Sequence, residues 1–189
     1  ITKFVFNMLK YKHMAIKYID QNNVLGKKVL VRLDLNVPFD DGKVTDDFRI
    51  RKAIPTLKYL INNNASKIII CSHFGRPSGQ FKDEYSLKYL LPKMEELLAY
   101  KIHFIEGEID ETINEVINDL PDKSVILLDN LRFSKGEEEN SEEFGQLLSS
   151  FADIYVNDAF GVCHRKHASV YWPPKLLPHF AGIQLKEEL

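Results

Sequence analysis

The sequence has little cysteine, almost no net charge and no long apolar run. Its only cysteines among 189 residues, Cys71 and Cys163, lie in or just after apolar stretches and show no metal-ligand spacing. That usage excludes a disulfide framework, ranks zinc low and points to two buried, reduced thiols. A formal charge of −2 excludes an overall basic nucleic-acid binder. No apolar stretch approaches the roughly 20 residues that a membrane-spanning helix needs. Neither G-x-x-x-x-G-K-[ST] nor G-x-G-x-x-G occurs, so both common phosphate-cradling loops are missing. Ser72-His73 is the only adjacent Ser/His pair. Neighbours on a strand end point in opposite directions, which disfavours a Ser-His-Asp triad. There is no internal repeat and no low-complexity segment.

What is present is an ordinary globular composition, 44% hydrophobic and 28% charged. Residues 1–13 carry Lys3, Lys10 and Lys12 with no acid, and read as the tail of a targeting peptide or as a vector-derived or neutral extension. Residues 14–189 read as one domain. Strands are predicted at Lys27–Leu35, Lys67–Cys71, Lys101–Ile105, Ser124–Leu128 and Asp153–Val156 from short β-branched runs. Helices are predicted at Phe48–Asn62, kinked or late-starting because of Pro55, and at Leu87–Tyr100 with Ser86 as N-cap. Two more are predicted at Asp110–Asn118 and Ser141–Ser150, and the acidic stretch Glu137–Glu143 reads as a solvated turn. Alternating strands and helices make this an α/β protein, a mostly parallel sheet covered by helices on both faces.

The polar residues fall at the strand ends. Lys67–Cys71 runs into Ser72, His73, Gly75, Arg76 and Pro77. Ser124–Leu128 runs into Asp129, Asn130 and Arg132. The strand at Asp153–Val156 leads to His164 and Arg165. The first strand carries Arg32, Asp34 and Asn36 on alternate residues, and Arg49 opens the following helix. In a parallel sheet the C-terminal strand ends share one edge, where ligands bind. The prediction is one cationic pocket for a phosphate or carboxylate, with guanidinium groups supplying paired hydrogen bonds. Asp34 either neutralises an arginine or, with Asn36, accepts hydrogen bonds from a hydroxylated ligand.

The stretches RLDLNVP (Arg32–Pro38), FRI (Phe48–Ile50), SHFGRP (Ser72–Pro77), LLDNLRF (Leu127–Phe133) and DIYVNDAFGVCHRKHAS (Asp153–Ser169) closely resemble the N-terminal half of the phosphoglycerate kinases. The resemblance runs in order from about Met14 to Leu189. It departs at LLDNLRF, where LLENLRF is usual, at GVCHRKHAS in place of GTAHRAHAS, and at VYWPPKLLPHFAG, which replaces a smoother small-residue segment. It implies a three-layer sandwich around a Rossmann-like parallel sheet of about six strands. It also implies binding of 3-phosphoglycerate or 1,3-bisphosphoglycerate for reversible phosphoryl transfer with ATP/ADP in glycolysis. Asp34, Asn36, Arg49, His73, Arg76, Arg132 and Arg165 would then bind substrate, with Arg49 also catalytic and Arg32 and His164 as neighbours of the basic patch. Mg-ATP/ADP would be held mainly by a C-terminal nucleotide domain, so this chain alone is expected to be inactive and to hold no metal. A monomer in the cytoplasm is implied, or an organelle if residues 1–13 are a targeting remnant, with neither nucleic acid nor membrane as partner. The alternative is a stand-alone anion-binding or regulatory module without catalysis.

Overall fold

The computed structural model describes residues 16–40 and 42–189, so the basic extension 1–13 lies outside the described residues. Strands β1 (Lys28–Leu33), β4 (Lys67–Cys71), β5 (Ile102–Ile105), β6 (Ser124–Leu128), β7 (Ile154–Asp158) and β8 (His179–Ala181) form one sheet in the order β5-β6-β4-β1-β7-β8. All its pairings are parallel. β2 (Phe39–Asp40) and β3 (Lys43–Val44) pair antiparallel, apart from the main sheet. The helices are α1 (Phe48–Asn62), α2 (Leu91–Leu98), α3 (Ile113–Asp119), α4 (Lys135–Glu138), α5 (Glu142–Ser150), α6 (Ala168–Tyr171), α7 (Pro173–Leu176) and α8 (Ile183–Glu188).

The central strands are buried along nearly their whole length because both faces are covered. The pleat sends alternate residues to opposite sides. Val29, Val31, Ile68, Ile70, Val125, Leu127 and Val156 meet α1 and α2 through Ile50, Leu57, Leu60 and Met94. Leu30, Ile69, Ile126, Leu128 and Tyr155 meet α3 and α5 through Ile113, Ile117, Phe144 and Leu148. Each fully buried Val, Leu or Ile contributes about 1.5–3 kcal/mol by leaving water, so a one-residue slip of any central strand would exchange two packed faces at once.

Several boundaries differ from the sequence reading for identifiable reasons. α1 starts at Phe48 and runs through Pro55 rather than starting late; Ile50, Ile54, Leu57 and Leu60 are all buried, and their packing outweighs the missing hydrogen bond. The predicted Leu87–Tyr100 helix divides. Ser86 does cap, but it caps a 3-10 turn over Leu87–Leu90, and α2 begins beside Pro92 at its first turn. Ala99 closes α2 in the left-handed conformation at φ 54°. The segment VYWPPKLLPHF supplies α6, α7 and the unforeseen strand β8, whose edge takes a bridge from Tyr18. Cys71 is buried and its thiol is pushed up to about 12 by that burial, whereas Cys163 is exposed, against expectation.

Charged groups inside the fold are held individually. Lys67 is buried and donates from Nζ to the carbonyls of Ile117 and Asn118, closing the C-terminal end of α3 where a cation suits the helix dipole. Asp158, at the end of β7, accepts from the amide of Leu185 in α8 at 3.0 Å with the Thr56 side chain nearby, while its Oδ2 has no hydrogen-bond partner within the distance limit among the described residues. Burial pushes this carboxyl up to about 6 against the pull of the Leu185 amide. An unfolded aspartate titrates at about 3.9. Between these values the folded chain keeps a proton that the unfolded chain releases, so stability falls as pH rises from about 4 to about 6 and stays reduced above. Asp158→Asn is expected to gain about 1–3 kcal/mol at pH 7 and to flatten that slope. Urea denaturation across the pH series checks it, and an unchanged profile would refute the assignment.

Candidate functional site

The C-terminal ends of β1, β4 and β6 are held together by side chains of one tip that bond the backbone of the next. Ser72 donates from Oγ to Leu33 O at 2.8 Å and accepts from Leu35 N at 3.0 Å, joining β4 to β1. Asn130 accepts from Phe74 N and Arg132 N and donates to Phe74 O and Tyr85 O, joining β6 to β4. Asp129, the acid that departs from the family pattern, accepts from Ser86 Oγ and from the amides of Leu87, Gly107 and Asn130, tying three loops together. Burial raises its pKa despite these donors.

On this frame the predicted residues separate into three groups. Asp34, Asn36, His73, Arg132 and Arg165 come together, with Arg49 at their rim. Arg49 Nη1 lies 2.8 Å from both oxygens of Asp34. Asn36 accepts from Gly75 N at 2.8 Å, and Arg132 donates from Nη1 to Gly75 O at 2.7 Å, so one glycine holds both. Asn36 and Arg49 also line an open cleft of about 450 Å³ with Val37, Pro38, Asp46 and Phe48. The second group is Arg32 alone. It is fully buried, behind His73. Its Nε donates to Ser169 Oγ at 2.9 Å, Nη1 to Leu33 O, and Nη2 to His73 Nδ1 at 3.2 Å. Arg76 and His164 form the third group: both side chains are exposed, and neither has a hydrogen bond or ion pair among the described residues.

Two contributors were missed in the sequence. Glu137, placed in a solvated acidic turn, is wholly buried in α4 and accepts from Ser169 N at 2.9 Å and Ser169 Oγ at 2.7 Å. It stands 4.0 Å from Arg32 Nη2 and 3.8 Å from His167 Nδ1. The signal was Arg32 itself: an arginine within the apolar run VLVRL needs a buried counter-charge. The second is His167, half-buried beside Glu137.

The electrostatics follow from crowding. Arg132 is nearly buried; its Nε lies 3.2 Å from Glu138 Oε1, and its Nη2 has no hydrogen-bond partner among the described residues. Burial, with Arg165 and Arg32 nearby, lowers its pKa. His73 is lowered to about 2, first by burial and then by Arg32, Arg132, Arg165 and His167. It is therefore neutral at physiological pH. Because Arg32 can only donate, Nδ1 must accept, and the ring proton sits on Nε2. His73 thus offers an anion a neutral N–H rather than a charge.

An open parallel α/β sheet with a cationic cluster at its strand C-termini defines the class of protein. More specifically, residues 19–189 match the family described as phosphoglycerate kinase, and the chain belongs to that family. It is 48% identical over 175 residues to phosphoglycerate kinase of Wolinella succinogenes, covering 92% of this chain and 43% of that protein. It is 46% identical over 177 residues to "Phosphoglycerate kinase 3, cytosolic" of Arabidopsis thaliana, covering 93% of this chain and 44% of that one. The solved structure of phosphoglycerate kinase from Coxiella burnetii superposes with a TM-score of 0.81 at 33% identity, over 92% of this chain and 43% of the other. The chain therefore spans less than half the length of the relatives it matches.

Gly75 is the vulnerable point of the frame. Its φ of 59° suits glycine, and a Cβ there would lie 2.3 Å from the Tyr85 ring. Gly75→Ala is expected to cost about 2–4 kcal/mol from strain and overpacking together, measured by urea denaturation. A loss below 1 kcal/mol would show that Tyr85 moves aside freely.

Proposed function

We propose that this chain is the acceptor half of a phosphoglycerate kinase, binding 3-phosphoglycerate or 1,3-bisphosphoglycerate at the cationic strand ends. The observation that carries the reading is Arg132: a nearly buried guanidinium with an unpartnered Nη2, fixed at Nη1 by the Gly75 carbonyl. A buried N–H without an acceptor is costly, and a ligand oxyanion would satisfy it. Arg165, at the same edge, and exposed Arg76 add charge, and His73 adds a neutral donor. Asn36 has its carbonyl oxygen engaged by Gly75 N, and its amide nitrogen makes no hydrogen bond among the described residues. These groups suit a small dianion with a hydroxyl.

The chemistry asks for positioning and charge neutralisation more than for an acid or base, because the substrate carboxylate is already a competent nucleophile. In this reading Arg49 is the catalytic cation. Its side chain is 44% exposed at the open cleft and held by Asp34, so it can exchange a carboxylate partner for a transferring phosphoryl group. Mg-ATP/ADP would be supplied by the nucleotide domain of the same enzyme, which we propose as the chain's partner within a monomer. Among the described residues no cluster of three His, Cys, Asp or Glu could hold a metal ion, and no helix is long and apolar enough to cross a membrane. We propose a cytoplasmic setting, the one that the name of the Arabidopsis relative states for that protein.

Calorimetric titration with 3-phosphoglycerate tests the site. Arg132→Ala is expected to lose about 1.5–3 kcal/mol, roughly 10- to 150-fold in Kd, and added salt should weaken wild-type binding by screening the exposed charges. Equal affinities in the two proteins would overturn the assignment. In a coupled assay with ATP, Mg²⁺ and 3-phosphoglycerate, the 189 residues alone are expected to show no turnover above blank, since they contain neither phosphate-cradling loop and the cleft at Arg49 is open to water. Robust turnover would refute the division of labour between halves.

A further inference from the structure

The two histidines at the site are set differently by buried partners from distant elements. His73 faces a cation: Arg32 Nη2 donates to its Nδ1 at 3.2 Å. His167 faces an anion: its Nδ1, buried and without a hydrogen-bond partner among the described residues, lies 3.8 Å from Glu137 Oε1. A carboxylate only accepts, so Glu137 favours a proton on His167 Nδ1. The neutral ring then presents a lone pair at Nε2, which repels an oxyanion; only the doubly protonated ring can donate there. The same Glu137 carboxylate is locked by both hydrogen bonds from Ser169, whose Oγ accepts from Arg32 Nε, so its distance to His167 is held by the arginine network.

We infer that Glu137 is a positioning residue that makes His167 a proton-linked donor to the bound anion, while Arg32 keeps His73 a donor whatever the pH. The inference deepens the proposed function and rests on it only for the identity of the anion. The groups bearing on His167 are Glu137 and Glu138 from α4, Arg132 from the turn after β6 and Arg165 from its own loop, with Arg32 of β1 4.0 Å from the same Glu137 oxygen and the neutral His73 nearby. Burial holds the imidazole below its usual value, Glu137 and Glu138 draw it up, and the arginines press it down. A dianion arriving beside the ring adds a further pull toward the charged form, so binding takes up a proton. The proton comes from solvent, no bond is made or broken in the ligand, and affinity falls as pH rises through the bound-state pKa of His167.

Nitrogen NMR of the imidazoles in the wild-type chain, without ligand, reads the tautomers directly. The expected result is an Nδ1 proton on neutral His167 and an Nε2 proton on His73. An Nε2 proton on neutral His167 would overturn the inference without any variant. Glu137→Gln can keep the contacts to Ser169 while removing the charge. It is expected to lower the His167 titration by about one pKa unit or more, tenfold in proton affinity; Glu137→Asp, which keeps the charge, should retain most of the wild-type value. An unchanged titration in Glu137→Gln would mean that the carboxylate is structural only.

Calorimetry from pH 7 to 8.5 supplies the binding arm, above the pKa of a phosphate monoester at about 6. The probes are 3-phosphoglycerate and sulfate, the latter a dianion throughout. Wild-type Kd should rise with pH, approaching tenfold per unit, with net proton uptake; in Glu137→Gln it should be weaker and nearly flat. Sulfate binding of this form without 3-phosphoglycerate binding would reject the proposed substrate and uphold the role of Glu137. A pH-independent wild-type Kd, or no binding of either anion, would overturn the inference.

Discussion

Like charges brought to one edge of a sheet repel, and the remainder of the site is arranged to contain that repulsion. Arg32, Arg132 and Arg165 all bear on His73 closely enough to help suppress its protonation. The opposing carboxylates stand at graded depths. Glu137 is fully buried opposite Arg32, Asp34 is nearly buried against Arg49, and Glu138 is half exposed beside Arg132. The deepest positive charge is thus neutralised internally, while those nearer solvent keep hydrogen-bonding capacity for a ligand. That gradient separates a charge that holds the fold together from charges that can recognise an anion.

Holding this arrangement requires rigid strand ends, and apolar packing alone does not set them. The core places the strands but stops where they stop. Beyond it, Ser72, Asn130 and Asn36 fasten the tips of β1, β4 and β6 to one another through main-chain groups. Each clamp satisfies backbone donors or acceptors that a strand leaves unpaired when it exits a sheet. Gly75 lies where two clamps meet, and its positive φ allows its amide and carbonyl to serve Asn36 and Arg132 at once.

Membership in the phosphoglycerate kinase family agrees with these physical features without replacing them. The departures in sequence have local explanations. Asp129 reaches four donors with the shorter side chain. Trp172, in the altered YWPPK segment, donates to Asn140 O and packs against the second core face, and Lys175 lies 3.5 Å above the Tyr171 ring. The segment that departs most from the family pattern therefore still builds regular turns and the edge strand.

Periodicity and turn chemistry determined the α/β class, the extents of β4 and β6, and the placing of arginine and histidine at strand ends, because these depend on neighbours within a few positions. Three features were decided only by tertiary structure. Strand β8 takes its order from pairing with β7, not from its own three residues. Glu137 resembles its acidic neighbours in sequence and differs only because Arg32 and Ser169 surround it in space. Arg32 itself, bonded to Ser169 across 137 positions, reads as a neighbour of the basic patch, and only the closed chain shows that it is buried. Burial of a charge depends on partners that meet only when distant segments pack, so local pattern showed which groups reach the edge, and the fold decided which of them remain available to a ligand.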